Sequence, residues 1–243
     1  MNLYSAILVV FIFITPIKAN TIYNLIKIPN LEIYEINTKN KLRYLYATKP
    51  FKLGLNIKKN ISCYNSNKKV LHQKYKIINK NLNRYSSKFL KKLNLKYIVL
   101  CENLSIGEIK TAGVPNMTMR TLILDIGFNK KYFERAIHHE VFHIINDSYR
   151  KFFNESEWKN FNKKNFKYTE CSTCNNKWNL DRYSETKGFF TEYAKSTASE
   201  DMAEVFSHLM FYQNDNNIDD PIINKKIRFI KEGMSKIDKK FKF

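Results

Sequence analysis

The sequence predicts an α+β fold, on the basis of segments with the patterns of both strands and helices. Residues 31–36 and 41–47 alternate apolar and polar side chains, which is typical of half-buried strands. Residues 96–101 and 121–126 are apolar runs typical of buried strands, and other segments repeat apolar residues at helical spacing. With 243 residues and a hydrophobic content of 44%, the chain can bury the core of one domain and is too apolar to be disordered.

Four segments carry the helical pattern. Residues 70–93 have helical spacing that is weakest at Ser86 and Ser87. A turn at residues 127–129 leads from the strand at 121–126 into a helix predicted over about residues 131–147. A further helical region begins near Ser199, and Asp219-Asp220-Pro221 separates it from a short basic amphipathic helix at the C-terminus.

The remaining segments predict irregular structure. Residues 107–117 are predicted to form a loop, and residues 150–187 a structured excursion, because linkers do not usually contain two tryptophans. We expect one domain over residues 20–243, with an N-terminal part at 20–95 and a catalytic part at 96–243.

Residues 1–19 have the pattern of a secretory signal peptide. The apolar run from Ile7 to Ile14 is too short to span a bilayer comfortably, and Ala19 is the small residue expected before a cleavage point. A retained membrane anchor is the less favoured alternative. The predicted location is therefore secreted or periplasmic.

The net charge of +20 raises the question of anionic partners. The lysines are scattered along the chain, whereas nucleic-acid binding predicts a basic stripe with interleaved aromatic residues. We expect no nucleic-acid partner, and we expect adsorption to anionic surfaces only as a secondary property. The predicted oligomeric state is a monomer.

Four cysteines in an exported chain are compatible with two disulfides. The preferred pairing is Cys63 with Cys101 and Cys171 with Cys174. A zinc knuckle is the alternative, but it would need a second close pair of Cys or His residues beyond the histidine motif described next. Free thiols are the other alternative.

Residues His139-Glu140-Val141-Phe142-His143 match the pattern H-E-x-x-H. On a helix, residues four apart share one face, so both imidazoles can reach one ion while Glu140 faces a water on that ion. Such a water has its pKa lowered to about 7, and a nearby carboxylate can take its proton. The pattern therefore predicts metal-assisted hydrolysis.

The identity of the third ligand determines the subclass of such an enzyme. Asn146 and Tyr149 stand where a metzincin would have a Gly and a further His, which disfavours that subclass. Downstream, Glu200 and Glu204 lie four residues apart in a segment that predicts a helix with packed apolar neighbours.

Together, the histidine motif and residues 193–206 resemble the gluzincin metallopeptidases, in particular the peptidase domain of anthrax lethal factor and bacterial chains described as zinc-binding metallopeptidases. In those proteins a Tyr lies seven residues before the liganding Glu, and a second Glu lies four residues after it. Tyr193, Glu200 and Glu204 reproduce that spacing. The resemblance extends over roughly residues 120 to 210.

The resemblance implies one zinc ion on His139, His143 and Glu200, with Glu140 as general base. It also implies that Tyr193 stabilises the oxyanion or assists the leaving amine. Glu204 and Asp147 would orient the imidazoles by accepting hydrogen bonds from them. The implied fold is zincin-like, with a small mixed sheet packed on the motif helix and a second helix carrying the third ligand.

These features predict an exported zinc-dependent endopeptidase that acts on peptides or proteins. We expect the strand at 121–126 to be an edge strand to which an extended substrate could add. An exported zinc-binding or surface-binding module without turnover is the alternative. His138 points away from His139 and is expected to have a packing or surface role. His208, four residues after Glu204, is expected to be partly exposed, and a position behind the metal ligands is the alternative.

Overall fold

The computed structural model describes residues 30–56, 59–174, 178–212 and 218–243. The predicted signal peptide lies outside these residues. None of the helices within them has the length and the apolar content that a membrane span requires. The strands are β1 (Leu31–Glu35), β2 (Arg43–Ala47), β3 (Phe51–Asn56), β4 (Lys59–Tyr64), β5 (Tyr97–Ile106), β6 (Ile109–Lys110), β7 (Gly113–Asn116) and β8 (Thr121–Asp125).

The helices confirm the α+β class. They are α1 (Lys68–Leu82), α2 (Ser87–Lys92), α3 (Lys130–Ser148), α4 (Glu155–Lys159), α5 (Ala198–Phe211) and α6 (Pro221–Ile237), with 3-10 turns at Arg150–Phe152 and Tyr193–Lys195.

The sheet is organised around the long strand β5. Its first half pairs in parallel with β2 and with β8, and its second half pairs antiparallel with β4 and β6. β1 extends the sheet antiparallel to β2, β7 antiparallel to β8, and β3 antiparallel to β4. The sheet curls because the two halves of β5 have different partners. A disulfide between Cys63 and Cys101 links β4 to β5, as predicted.

Both faces of the central strands are covered. Ile98 and Leu122 face the main cluster of buried apolar residues, which includes the helices, whereas Val99 and Ile123 belong to a second cluster on the opposite face. Side chains in a strand alternate between faces, so a strand covered on both sides must be apolar throughout. This explains the apolar runs of β5 and β8.

Local hydrogen bonds define where the helices that carry the site begin. The Asn129 side chain accepts a hydrogen bond from the backbone of Lys131 and begins α3. Thr197 Oγ1 accepts from the backbone of Glu200 and begins α5. Side chains with a short polar acceptor satisfy the free N–H groups of a first helical turn. α3 and α5 then pack against each other over much of their length.

The structure corrects several predicted elements. The helix predicted at 70–93 is two helices, because Ser86 caps a new one. The predicted loop at 107–117 contains β6 and β7. β3 and β4 were not predicted from the sequence, and the C-terminal helix α6, predicted to be short, has 17 residues.

The prediction that residues 121–126 form an edge strand is wrong. β8 lies between β5 and β7, and all five of its residues are buried. The sequence of β8 does not show whether a further strand lies beside it. The neighbouring strand β7 is short and contains Gly113 and Pro115, so its own sequence predicted a loop. β7 pairs only with β8 within the described residues, so β7 is the edge strand on this side.

Candidate metal centre

α3 brings His139 and His143 together one helical turn apart. Their ring centroids lie 4.8 Å apart and their Nε2 atoms 3.1 Å apart. The His139 side chain is 8% exposed and that of His143 19%, so both rings lie mostly inside the protein. Two imidazole nitrogens that face one point from the same side of a helix are a suitable pair of metal ligands.

α5 supplies the carboxylate that completes the cluster. Glu200 Oε2 lies 2.8 Å from His139 Nε2 and 3.1 Å from His143 Nε2. The three residues can each direct one ligand atom at a common ion. Zinc bonds of about 2.0–2.1 Å to nitrogen and oxygen are compatible with ligand atoms this close.

Glu204 fixes the orientation of the His139 ring. Its Oε1 atom lies 3.0 Å from His139 Nδ1. A carboxylate at this distance accepts a hydrogen bond from an N–H, so Nδ1 carries the proton and Nε2 keeps its lone pair for a metal. The protein thus holds His139 in the tautomer that a zinc site requires, and the residues present fit zinc.

The carboxylates of Glu200 and Glu204 create a negative electrostatic potential at His139. Burial lowers the pKa of His139, but hydrogen bonds and charges from Glu200 and Glu204 outweigh it and raise the pKa to about 10. Burial raises the pKa of Glu200, but His143 and His139 outweigh burial and lower it well below its usual value. A divalent cation and a proton therefore compete for the same imidazole nitrogens.

Glu140 follows the first histidine and lies beside the edge strand. It is 7% exposed, and burial raises its pKa to about 7, with the two histidines opposing that shift. A Cβ atom at Gly113 of β7 would lie 2.6 Å from Glu140 Cγ, a distance that side-chain carbons do not tolerate. Gly113 therefore leaves the space that this carboxylate occupies.

Tyr193 lies beside His139, in the 3-10 turn Tyr193–Lys195. Its ring centroid is 5.8 Å from that of His139. Burial first, and then the charges of Glu200 and Glu140, raise its pKa well above the usual value. The Tyr193 hydroxyl therefore keeps its proton and can donate a hydrogen bond at the site.

The structure does not place Asp147 where the resemblance implied. Asp147 Oδ1 accepts from Arg150 Nε at 3.2 Å, and its side chain is 45% exposed. Ser199 Oγ lies 3.4 Å from His143 Nδ1 instead. The prediction for Asp147 is wrong because it comes four residues after His143 on α3, whereas the second ring nitrogen of His143 faces α5.

The other two predictions about histidines have different outcomes. His138 packs inside the protein, with Nδ1 2.7 Å from the Tyr85 hydroxyl and Nε2 3.0 Å from Asn81 Oδ1, as expected for a packing role. His208 is buried rather than partly exposed. It stacks on Phe190 at 4.2 Å, and its Nδ1 lies 2.8 Å from the backbone oxygen of Glu204.

Several residues that contact the site were not predicted from the sequence, including Thr191, Arg135 and Ser199. One signal was available: Thr197-Ala198-Ser199-Glu200 has the S/T-x-x-E spacing of a helix start. That spacing places Glu200 in the first turn of α5. Nothing in the sequence indicates that Thr191 or Arg135 would contact Glu204, since both contacts join distant segments.

A cleft of about 1350 Å³ opens over this cluster. Its lining includes the whole of β7, the α3 residues His139, Glu140 and His143, and Tyr193. Ser172, Thr173 and Trp178 of the predicted excursion also line it, close to the predicted disulfide between Cys171 and Cys174, which the structure contains. The cleft is large enough for several residues of a peptide.

Comparison with known proteins adds one match. A family model described as "putative zinc-binding metallo-peptidase" matches residues 102–243. The matched region begins within β5 and includes both histidines, Glu140, Tyr193 and Glu200. No curated protein and no solved structure matches the chain.

Proposed function

The chain belongs to this family of zinc-binding metallopeptidases, and we propose that it is an endopeptidase of the gluzincin type, as in the peptidase domain of anthrax lethal factor. Family membership indicates zinc-dependent proteolysis of peptides or proteins. The observation that carries the finer proposal is the convergence of His139 Nε2, His143 Nε2 and Glu200 Oε2 within 3.1 Å of one another. A carboxylate from a second helix as third ligand is what defines the gluzincin arrangement.

Glu140 is the proposed general base. A zinc ion held by the three ligands would supply Lewis acidity, lowering the pKa of water and polarising a substrate carbonyl. The Glu140 carboxylate takes the proton from the attacking water and passes it to the leaving amine. With a pKa of about 7, raised by burial, this carboxylate can both accept and return a proton near neutral pH.

Tyr193 is the proposed hydrogen-bond donor to the developing oxyanion. Burial and the neighbouring carboxylates raise its pKa well above the usual value, so the hydroxyl remains a donor throughout. A donor aimed at charge that develops only in the transition state lowers the barrier without strengthening ground-state binding.

β7 is the proposed docking strand for the substrate. It takes the role first predicted for residues 121–126, because β7 pairs only with β8 among the strands of the described residues and therefore lies at the edge of the sheet. An extended peptide that pairs with β7 would lie in the cleft, where Gly113 contacts Glu140. Main-chain pairing of this kind aligns a peptide bond with little regard for its side chains.

We also propose that the protein acts as a monomer outside the cytoplasm. The apolar N-terminal segment and two disulfides support export, since disulfides persist mainly in oxidising compartments. Its charge of +20 favours adsorption to anionic surfaces there.

The test combines metal analysis with proteolysis of a peptide library by the chain from residue 20 onward. The wild-type chain should bind one zinc ion and cleave peptides. Glu140→Ala should keep the zinc but lower kcat by about 10²- to 10⁴-fold, while Glu200→Ala should lose both. A chain that holds zinc but leaves the library intact would instead be a binding module without turnover.

A further inference from the structure

Thr191 is a fully buried residue that contacts two parts of the site at once. Its hydroxyl lies 2.7 Å from Glu204 Oε2, and it also lies 3.2 Å from the backbone nitrogen of Ala194. A hydroxyl has one proton to donate. Since a carboxylate can only accept and an amide N–H can only donate, Thr191 donates to Glu204 and accepts from Ala194.

The first of these hydrogen bonds fixes the carboxylate that orients His139. Glu204 uses Oε1 for His139 Nδ1 and Oε2 for Thr191. Arg135 Nη2 also faces Oε2, but at 3.6 Å it attracts the charge without a hydrogen bond. The rotation of the carboxylate about its last bond is therefore fixed by His139 at one oxygen and by the hydroxyl of Thr191 at the other.

The second hydrogen bond fixes the turn that carries Tyr193. The 3-10 turn Tyr193–Lys195 follows Glu192, whose side chain makes no capping hydrogen bond. Thr191 Oγ1 takes that role by accepting from Ala194, which is buried and immediately follows Tyr193. An unpaired backbone N–H in such a place would be costly.

We propose that Thr191 is a positioning residue that couples the orientation of His139 to that of Tyr193. One hydroxyl, with one donor and one acceptor function, connects the carboxylate behind the metal ligand to the turn beneath the oxyanion donor. This inference rests on the proposed function for the role of Tyr193, whereas the part that concerns His139 requires only metal binding.

The first test is zinc affinity, measured by competition with a chromogenic chelator. Thr191→Val keeps the shape of the side chain and removes the hydroxyl, so zinc affinity should fall about 10- to 100-fold, the usual effect of losing a partner behind a liganding histidine. Thr191→Ser retains the hydroxyl and should restore the affinity to within about threefold of wild type, which loss of packing alone would not explain. If Thr191→Val does not fold, Thr191→Ala serves instead.

The second test is a double-mutant cycle on kcat at saturating zinc. Thr191→Val should lower kcat about tenfold with little change in KM. In the Tyr193→Phe background, the same substitution should lower kcat by about threefold or less, because the hydroxyl that it positions is already gone. Equal losses in both backgrounds would overturn the coupling to Tyr193.

The outcomes separate this inference from the proposed function. A wild-type chain that binds zinc but cleaves nothing refutes the peptidase proposal, and the zinc measurement still decides whether Thr191 acts on His139. A Thr191→Val chain with wild-type zinc affinity overturns the inference, whether or not the protein is a peptidase.

Discussion

Two faces of α5 bury carboxylates in contrasting ways. On one face, Glu200 and Glu204 point at His139. On the other, Asp201 Oδ2 lies 2.6 Å from Lys226 Nζ, and both side chains are completely buried. Asp201 also accepts hydrogen bonds from Trp158 Nε1 and the Tyr168 hydroxyl.

The two faces differ in where their positive charge comes from. The charge that balances Asp201 is part of the chain, because Lys226 is held between Asp201 and the backbone oxygen of Gly188. The charge that balances Glu200 comes from His139, whose pKa is raised to about 10 by Glu200 and Glu204 against the effect of burial, and this ring must give up a proton before Nε2 binds a metal. The face with Asp201 is therefore charge-balanced without a ligand, whereas the face with Glu200 and Glu204 changes its charge state when an ion binds.

The largest effect on stability is expected from breaking the buried ion pair of Asp201 and Lys226. Lys226→Met leaves Asp201 buried with an uncompensated charge and should lower the free energy of unfolding by about 3–5 kcal/mol, measured by urea denaturation. The matched control is the Asp201→Asn/Lys226→Met double variant, which removes both charges and should recover most of the loss. Zinc affinity should change little, and a parallel loss of zinc would show that the two faces are not independent.

Removing the metal should lower the stability of the protein through the face of α5 that carries Glu200 and Glu204, and leave the ion pair of Asp201 and Lys226 unchanged. A chelator should lower the stability of the zinc-loaded protein by about 2.7 kcal/mol when free zinc had stood at one hundred times Kd. Glu200→Gln is the control, because it should not respond to the chelator. A Tm that falls equally in this variant would contradict the assignment of the ligands.

Acid should act in part through His208, a buried residue of α5 whose Nδ1 lies 2.8 Å from the backbone oxygen of Glu204 in the same helix. Burial lowers the pKa of His208 to about 3, against about 6.5 in the unfolded chain. The neutral ring makes its full contribution to stability above pH 6.5, and this contribution is lost as the pH falls toward 3. The loss amounts to about 2 kcal/mol by pH 5. His208→Gln should reduce the loss of stability between pH 6.5 and 5 by about this amount and leave the share of buried His138, whose pKa is also lowered by burial to about 3. An unchanged pH profile would contradict this account.

The smallest effect is expected at Gly113, opposite the cluster. Gly113→Ala would place a Cβ atom 2.6 Å from Glu140 Cγ, so the carboxylate must shift. We expect kcat to fall about tenfold, roughly 1.4 kcal/mol in the barrier, with zinc content unchanged. Gly107→Ala is a suitable control for the added methyl group, since no atom lies within 4 Å of it there, although its positive φ of 60° adds local strain. A kcat equal to wild type would mean that Glu140 has room to move.

The sequence by itself determined the local part of the site. The four-residue spacings of His139 with His143 and of Glu200 with Glu204 each place two side chains on one helical face, because the helix repeats every 3.6 residues. The pairing of Cys171 with Cys174 and the strands at the start of the chain are confirmed for the same kind of reason, since they depend on short spacing or on alternation. The pairing of Cys63 with Cys101 is also confirmed, but it spans 38 residues and depends on β4 lying beside β5.

Only the tertiary structure decided which distant side chains meet. Sequence alone placed Lys226 in a basic amphipathic helix, yet it is buried because Asp201 neutralises it from another helix. The same holds for β7 beside β8, for Ser199 rather than Asp147 beside His143, and for Thr191 beside Glu204. Helical periodicity fixes neighbours within one element, whereas contacts between elements depend on how whole surfaces pack, which no local spacing records.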